Sequence, residues 1–215
     1  MDKKPVTSRH LDNKVRVNDG LTRCNWPVKG DELYLAYHDN AWGVPEYDDH
    51  ALFAKLILDG FQAGLSWIVI LRKEEAFRKA FHNLDPNILA TISDEALEAQ
   101  MQNADIVRNR SKIFALRTNA QAYLILHQEI GFSNYWWGQV NGNPLNNKLK
   151  AGDAYPTKTE LSEAISKDLK KRGFKFIGPT IIYAFMQAVG LINDHFITCH
   201  CHDKCVNLAK KNFNQ

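Results

Sequence analysis

The sequence predicts an all-α fold, and three observations predict it. Apolar residues recur at three- and four-residue spacing in several separate windows, each building one buried helical face. Residues that cap or stop helices stand at the ends of those windows. No stretch alternates apolar with polar residues, and the chain has no repeat and no Rossmann or P-loop glycine signature.

The first expected helix runs from Asp48 to Asp59, with Leu52, Phe53, Leu56 and Ile57 on one face and Gly60 as its stop. Ser66 caps a second helix to about His82, carrying Trp67, Ile70, Leu71, Phe77 and Phe81. Asp85-Pro86 is a cap followed by a first-turn proline and starts a short helix. Ser93 opens another that ends near Asn103. A basic turn, Ile106 to Lys112, leads into a long periodic run from Lys112 to His127, with Ile113, Leu116, Ala120 and Tyr123 on one side. Residues 138–158 are rich in Gly, Asn and Pro and read as a long loop. Thr157 to Glu160 fits a capping box, starting a helix that ends at Gly173. Pro179 begins the last clear helix, which closes at Gly190.

The chain has 215 residues, enough for one good-sized domain with a real core. With 45% apolar and 24% charged residues, its composition is that of an ordinary soluble protein. A net charge of +3 permits nucleic-acid binding without arguing for it. No apolar run is long enough for a membrane helix. The first twenty residues hold no apolar core of a signal peptide and carry acidic residues, so they read as a polar, disordered extension. A cytoplasmic chain follows, with its thiols reduced, which leaves metal ligation or inert burial for the four cysteines.

Three of those cysteines and three of the eight histidines fall between Asn193 and Cys205. His195 and Cys199, four apart, project to the same side of a helical turn and suit two ligands of a tetrahedral zinc. Local completion by Cys201, Cys205, His200 or His202 is one option. The distant pair Cys24 and His38, fourteen residues apart, is another. Spacing alone does not choose between them, nor does it exclude a flexible tail that binds metal adventitiously.

A second constellation surrounds Asp59. Positions 52, 56 and 59 share a helical face, which puts this carboxylate on or beside an apolar stripe. It also lies towards a helix C-terminus, where the dipole disfavours negative charge. An acid there carries a cost that function can justify, although a solvated carboxylate at the rim fits the pattern too. Tyr37, Trp42 and Trp67 are aromatics in nearby segments, for which core packing is the ordinary role. Basic residues crowd two places: Arg108, Arg110 and Lys112 at a turn, and Lys167, Lys170, Lys171, Arg172 and Lys175 at a helix end. Such clusters suit phosphate contact or a solvated surface.

Five stretches resemble those of the 3-methyladenine DNA glycosylase I family: Arg23 to Trp26, Tyr34 to Pro45, Gln62 to Trp67, Lys171 to Gly178 and Phe185 to His195. They are long, in the family's order and spread over residues 23–199. The resemblance implies a helix-hairpin-helix DNA glycosylase fold with a zinc site joining the N- and C-terminal segments. It divides the chain into an extension (1–22), one glycosylase domain (23–205, its helix-hairpin-helix part about 85–190) and a tail (206–215). The implied activity is base flipping and hydrolysis of the N-glycosidic bond of 3-methyladenine, by a monomer acting on double-stranded DNA. Position by position, the resemblance implies one structural zinc on Cys24, His38, His195 and Cys199, which makes Cys201, Cys205, His200 and His202 bystanders. It implies a lesion pocket of Tyr37, Trp42 and Trp67, a catalytic carboxylate at Asp59, Leu65 near the gap left by the flipped nucleotide, and DNA contacts from Arg108, Arg110 and Lys112.

Two departures stand out. Better-known members carry Glu where this chain has Asp59, one methylene shorter. The hairpin, Ile106 to Lys112, has Asp105 and Ser111 where glycines are usual. No lysine stands out as a Schiff-base nucleophile, so the expected enzyme is monofunctional. A non-catalytic zinc-stapled DNA-binding module and a zinc hydrolase are the competing readings.

Overall fold

The computed structural model describes residues 20–27 and 30–212. Most of the expected N-terminal extension, residues 1–19, lies outside them. Ten α-helices are described, together with one two-stranded bridge. No described helix is long and apolar enough to cross a membrane.

α1 (Glu32–Asn40) starts where Asp31 accepts the amide of Tyr34 at 3.1 Å. α2 (Asp49–Gln62) is capped by Asp48 and forms the centre of the molecule. It packs against α3 (Trp67–Ala80), α6 (Arg110–Ile130), α7 (Phe132–Gly138) and α9 (Pro179–Ala188). From Leu52 through Phe61 every residue is buried apart from Lys55. A helix buried on nearly all sides has no solvent stripe, so the single apolar face expected for it widens to the whole surface. Gly60 does not stop it, because the flanking apolar residues pack on all sides and carry the helix on to Gln62. The stop falls to Gly64, which holds φ +83° in the turn to α3.

α4 (Pro86–Leu89) and α5 (Asp94–Ala99) begin at Asp85 and Ser93, as the cap residues indicate. A 3-10 turn to Gln102 follows α5. The hairpin is shorter than expected. α6 begins at Arg110, because Asn109 accepts the Lys112 amide at 3.1 Å and caps it. The cap of α8 (Glu160–Lys171) also lies two residues further on, at Thr159, which exchanges hydrogen bonds with Ser162 in a capping box.

Periodicity misses α1, α7 and α10 (His202–Asn212). All three are short and rich in polar or aromatic residues, so none carries a plain apolar stripe. The long loop at 138–158 contains β1 (Leu145–Asn146), which pairs in parallel with β2 (Ile192–Asn193). Two residues are too short a strand to leave an alternating signal.

Candidate active site and metal centre

The cysteine and histidine cluster forms where the two ends of the described chain meet. The His200 backbone N–H donates to the Thr22 carbonyl at 2.9 Å, and this fastens the segment after β2 to residues 20–27. α1 presents His38 from one side. Gly43, at φ +77°, lets the backbone pass the His195 ring, where even a Cβ would lie 3.0 Å from it. The ligand atoms of Cys24, His38, His195 and Cys199 thereby all fall within 4.8 Å of one another, and all four residues are buried.

The distances suit a tetrahedral ion. His195 Nδ1 lies 3.5 Å from the sulfurs of both Cys24 and Cys199, and His38 Nε2 lies 3.6 Å from Cys199 Sγ. Metal–sulfur and metal–nitrogen bonds of about 2.3 and 2.0–2.1 Å at tetrahedral angles separate S from N by about 3.6 Å. Each imidazole is also fixed on its far side. His38 Nδ1 meets Asp39 Oδ1 at 2.7 Å, and His195 Nε2 meets the Trp42 carbonyl at 3.0 Å. Arg23 in turn grips Asp39. Carboxylate and carbonyl partners of this kind select the tautomer a metal needs.

The thiols point the same way. Hydrogen bonds from Cys201 and then Cys24 hold Cys199 far below the ordinary thiol range, while the Cys199 thiolate and burial push Cys24 far above it. A cation bound among these sulfurs would displace protons from them. The residues fit a metal ion. Of the local alternatives, Cys201 joins smaller groups with His200 or with His38 and Asp39. Those groups share ligands with the four-residue site. Cys201, Cys205 and His202 are buried rather than loose, and His202 begins α10.

The second constellation lines a cavity of about 210 Å³ between α1, α2, α3 and α9. Tyr37, Trp42, Trp67 and Asp59 all line it, with Trp26, Gln62 and Tyr155. Tyr37 and Trp67 have ring centroids 5.4 Å apart, and Trp26 meets Trp42 edge-on at 5.1 Å. These aromatics pack on the core, as their ordinary role predicts, yet each also presents an edge or face to the cavity. Asp59 is 1% exposed, which removes the reading of it as a solvated rim carboxylate. Its Oδ1 accepts from Lys55 Nζ, one helical turn earlier. Its Oδ2 is buried with no hydrogen-bond partner among the described residues. Burial raises the carboxyl's pKa, and the Lys55 charge opposes the rise.

Lys55 is the residue that sequence reasoning missed. It lines the cavity, and its ammonium lies 3.8 Å from the Trp67 ring centroid. The i,i+4 relation to Asp59 was a usable signal. Burial lowers its pKa, with Asp59 opposing. Leu65 is 42% exposed, on the turn joining α2 to α3 beside the cavity residues Gln62 and Trp67.

The three basic residues of the hairpin part company. Arg108 is exposed. Arg110 is exposed too, paired with Glu98 and lying 4.2 Å from the Phe114 ring centroid. Lys112 does not face outward at all. It is 7% exposed, and its Nζ donates to the carbonyls of Phe61 at 2.9 Å and Ala63 at 2.7 Å. It thus caps the C-terminus of α2, where a cation is favoured.

A family model described as methyladenine glycosylase matches residues 26–202. The chain belongs to the methyladenine glycosylase family. Among the curated members of that family, the chain is similar to DNA-3-methyladenine glycosylase 1 of Escherichia coli (strain K12). The two are 49% identical over 183 residues, which is 85% of this chain and 97% of the relative. A crystal structure of 3-methyladenine DNA glycosylase I superposes with a TM-score of 0.81 at 48% identity, covering 84% of this chain and all of that one. A tyrosine-to-phenylalanine variant of a family member, in complex with 3-methyladenine, superposes with a TM-score of 0.79 at 37% identity, over 80% and 94% of the two chains. The family fold is therefore that of this chain, mostly helical with one short bridge among the described residues.

Proposed function

We propose that the protein excises 3-methyladenine from alkylated DNA by hydrolysing the N-glycosidic bond. The observation that carries this reading is the buried Asp59 carboxylate, with one oxygen free, in an aromatic cavity of a chain 49% identical to a DNA-3-methyladenine glycosylase. A base stacked in a duplex cannot reach such a cavity, so it must flip out, at a cost of a few kcal/mol in stacking and pairing. Leu65 lies near the gap that the flipped nucleotide leaves, a role supported by its exposure on the turn beside the cavity. Arg108 and Arg110 supply phosphate contacts, whereas Lys112 acts through the α2 terminus that it caps.

The N3-methylated base is a cation and leaves readily, so recognition and electrostatics suffice where strong acid catalysis would otherwise be needed. Asp59 Oδ2 accepts a hydrogen bond from the adenine amino group, and Tyr37, Trp42 and Trp67 wall the ring. The C1′–N9 bond breaks with both electrons passing to N9, which neutralises the base. A water oxygen then bonds to the oxocarbenium-like C1′ and loses its proton to solvent.

The metal centre we assign to zinc, on Cys24, His38, His195 and Cys199. A two-sulfur, two-nitrogen tetrahedral set is a structural zinc set, and four protein ligands leave no open position for a catalytic water. This argues against the zinc-hydrolase reading. The chain acts as a monomer on double-stranded DNA.

The test is to incubate the purified protein with methylated duplex DNA and chromatograph the released bases. Free 3-methyladenine without strand breaks is the expected result. DNA binding without base release would leave only a DNA-binding module.

A further inference from the structure

The glycosylase reading uses Asp59 and leaves Lys55 without a role, although Lys55 lines the same cavity. Its ammonium carries three N–H donors. One goes to Asp59 Oδ1, and the Trp67 ring lies 3.8 Å away on another side. Asp59 Oδ2, on the same carboxylate, is buried with no donor among the described residues. The cavity wall therefore presents a free acceptor beside an unused donor, both fixed by the i,i+4 geometry of α2.

Adenine has the complementary edge: an N6 amino donor beside the N7 acceptor. Guanine presents two acceptors there, O6 and N7. We propose that Lys55 and Asp59 together read the adenine edge of the flipped base, with Asp59 Oδ2 accepting from N6 and Lys55 Nζ donating to the neighbouring ring nitrogen. The proposal rests on the glycosylase reading above. The two side chains do jointly what one Asn or Gln amide does when it reads adenine in a groove. Against guanine, Oδ2 would face O6, two acceptors with no proton between them, which costs the desolvation of both.

The same contact favours the reaction. In DNA the N3-methylated base is a cation and repels the ammonium. As the C1′–N9 electrons pass to the base it becomes neutral, and its ring nitrogen becomes a better acceptor. The Lys55 hydrogen bond is thus stronger in the transition state than in the ground state, the condition for raising kcat. Lys55 is a substrate-contacting residue on this account.

The titratable groups around Lys55 are Asp59 on α2, Glu74 on α3, and Tyr37 and Tyr34 on α1. Because Lys55 also helps keep Asp59 ionised, the experiment has to separate the two effects. Wild type, Lys55→Met and Lys55→Gln are assayed on DNA treated with dimethyl sulfate, and released 3-methyladenine and 3-methylguanine are quantified at pH 7 and pH 9, with thermal melts as a folding control.

Lys55→Met is expected to release 3-methyladenine at least about tenfold more slowly and to narrow the adenine-to-guanine ratio by a comparable factor. Lys55→Gln, which keeps a donor, should recover part of the ratio. Wild-type rate and ratio in Lys55→Met would overturn the proposal, and so would faster excision, which would make Lys55 an obstruction in the base's seat. Full rescue of Lys55→Met at pH 9 would also overturn it, by reducing Lys55 to a counter-ion of Asp59. Wild type that releases no base would sink the glycosylase reading itself. Active wild type with an unchanged variant sinks only the role of Lys55.

Discussion

Asp59 has a buried carboxylate oxygen with no partner among the described residues, and it lines the cavity. Asp59→Asn should therefore lower 3-methyladenine excision by about a hundredfold, by analogy with loss of one transition-state hydrogen bond. Stability should change by no more than about 1–2 kcal/mol. Base release and a thermal melt on the same preparation check both; wild-type-like excision would remove Asp59 from the mechanism. Burial raises its pKa, so the pH dependence also has a definite sign. The ionised form works on DNA, and excision should rise with pH across a window above the ordinary carboxylate range. Stability should run the other way. A raised carboxyl contributes stability that is present below its unfolded pKa and is lost as pH rises through the folded value. Melting temperature against pH should show that loss in wild type and not in Asp59→Asn.

At the scale of elements, the join between α2 and α6 depends on Lys112. Its ammonium crosses from the first turn of α6 to two carbonyls at the end of α2, and this fixes the turn that carries Leu65. Lys112→Met strands both carbonyls. We expect a loss of about 2–4 kcal/mol, since hydrogen bonds to charged groups are worth about 1.5–3 kcal/mol each and do not add fully. Denaturant melts measure it. Arg108→Ala should behave in the opposite way. It should leave the melt unchanged, weaken binding to all duplex sequences alike, and reduce the slope of log K against log salt by about one. Sequence counting groups Arg108, Arg110 and Lys112 because they are close in the chain. The helix start at Arg110 separates them, since residues around a helical turn face different directions.

At the scale of the whole molecule, the Cys/His cluster brings residues near the start of the described chain to residues near its end, across 175 positions between Cys24 and Cys199, and the zinc proposed there would tie them. Its loss should therefore be felt globally. Cys24→Ala and Cys199→Ala should each abolish stoichiometric zinc and lower the melting temperature, while Cys201→Ala and Cys205→Ala should keep one zinc per chain. Metal analysis of the four variants decides it; loss of zinc in Cys201→Ala would move that residue into the ligand set.

The sequence by itself determined the helical class, the caps at Asp85 and Ser93, and several of the residues that line the cavity, Asp59 among them. Caps are local, and each depends on a side chain reaching an amide two or three residues away. The resemblance of five short stretches added the pairing of Cys24 and His38 with His195 and Cys199. Only the tertiary structure decided how deep each polar group lies. Asp59 sits on a helix enclosed on nearly every side, Lys112 folds inward, and Cys201 and Cys205 are packed against the site instead of trailing in a tail. Burial is a sum over neighbours from distant parts of the chain, and no local pattern carries that sum. The partnership of Lys55 with Asp59 was written in the sequence as a spacing of four. Its meaning came from the cavity that α1, α3 and α9 close around it.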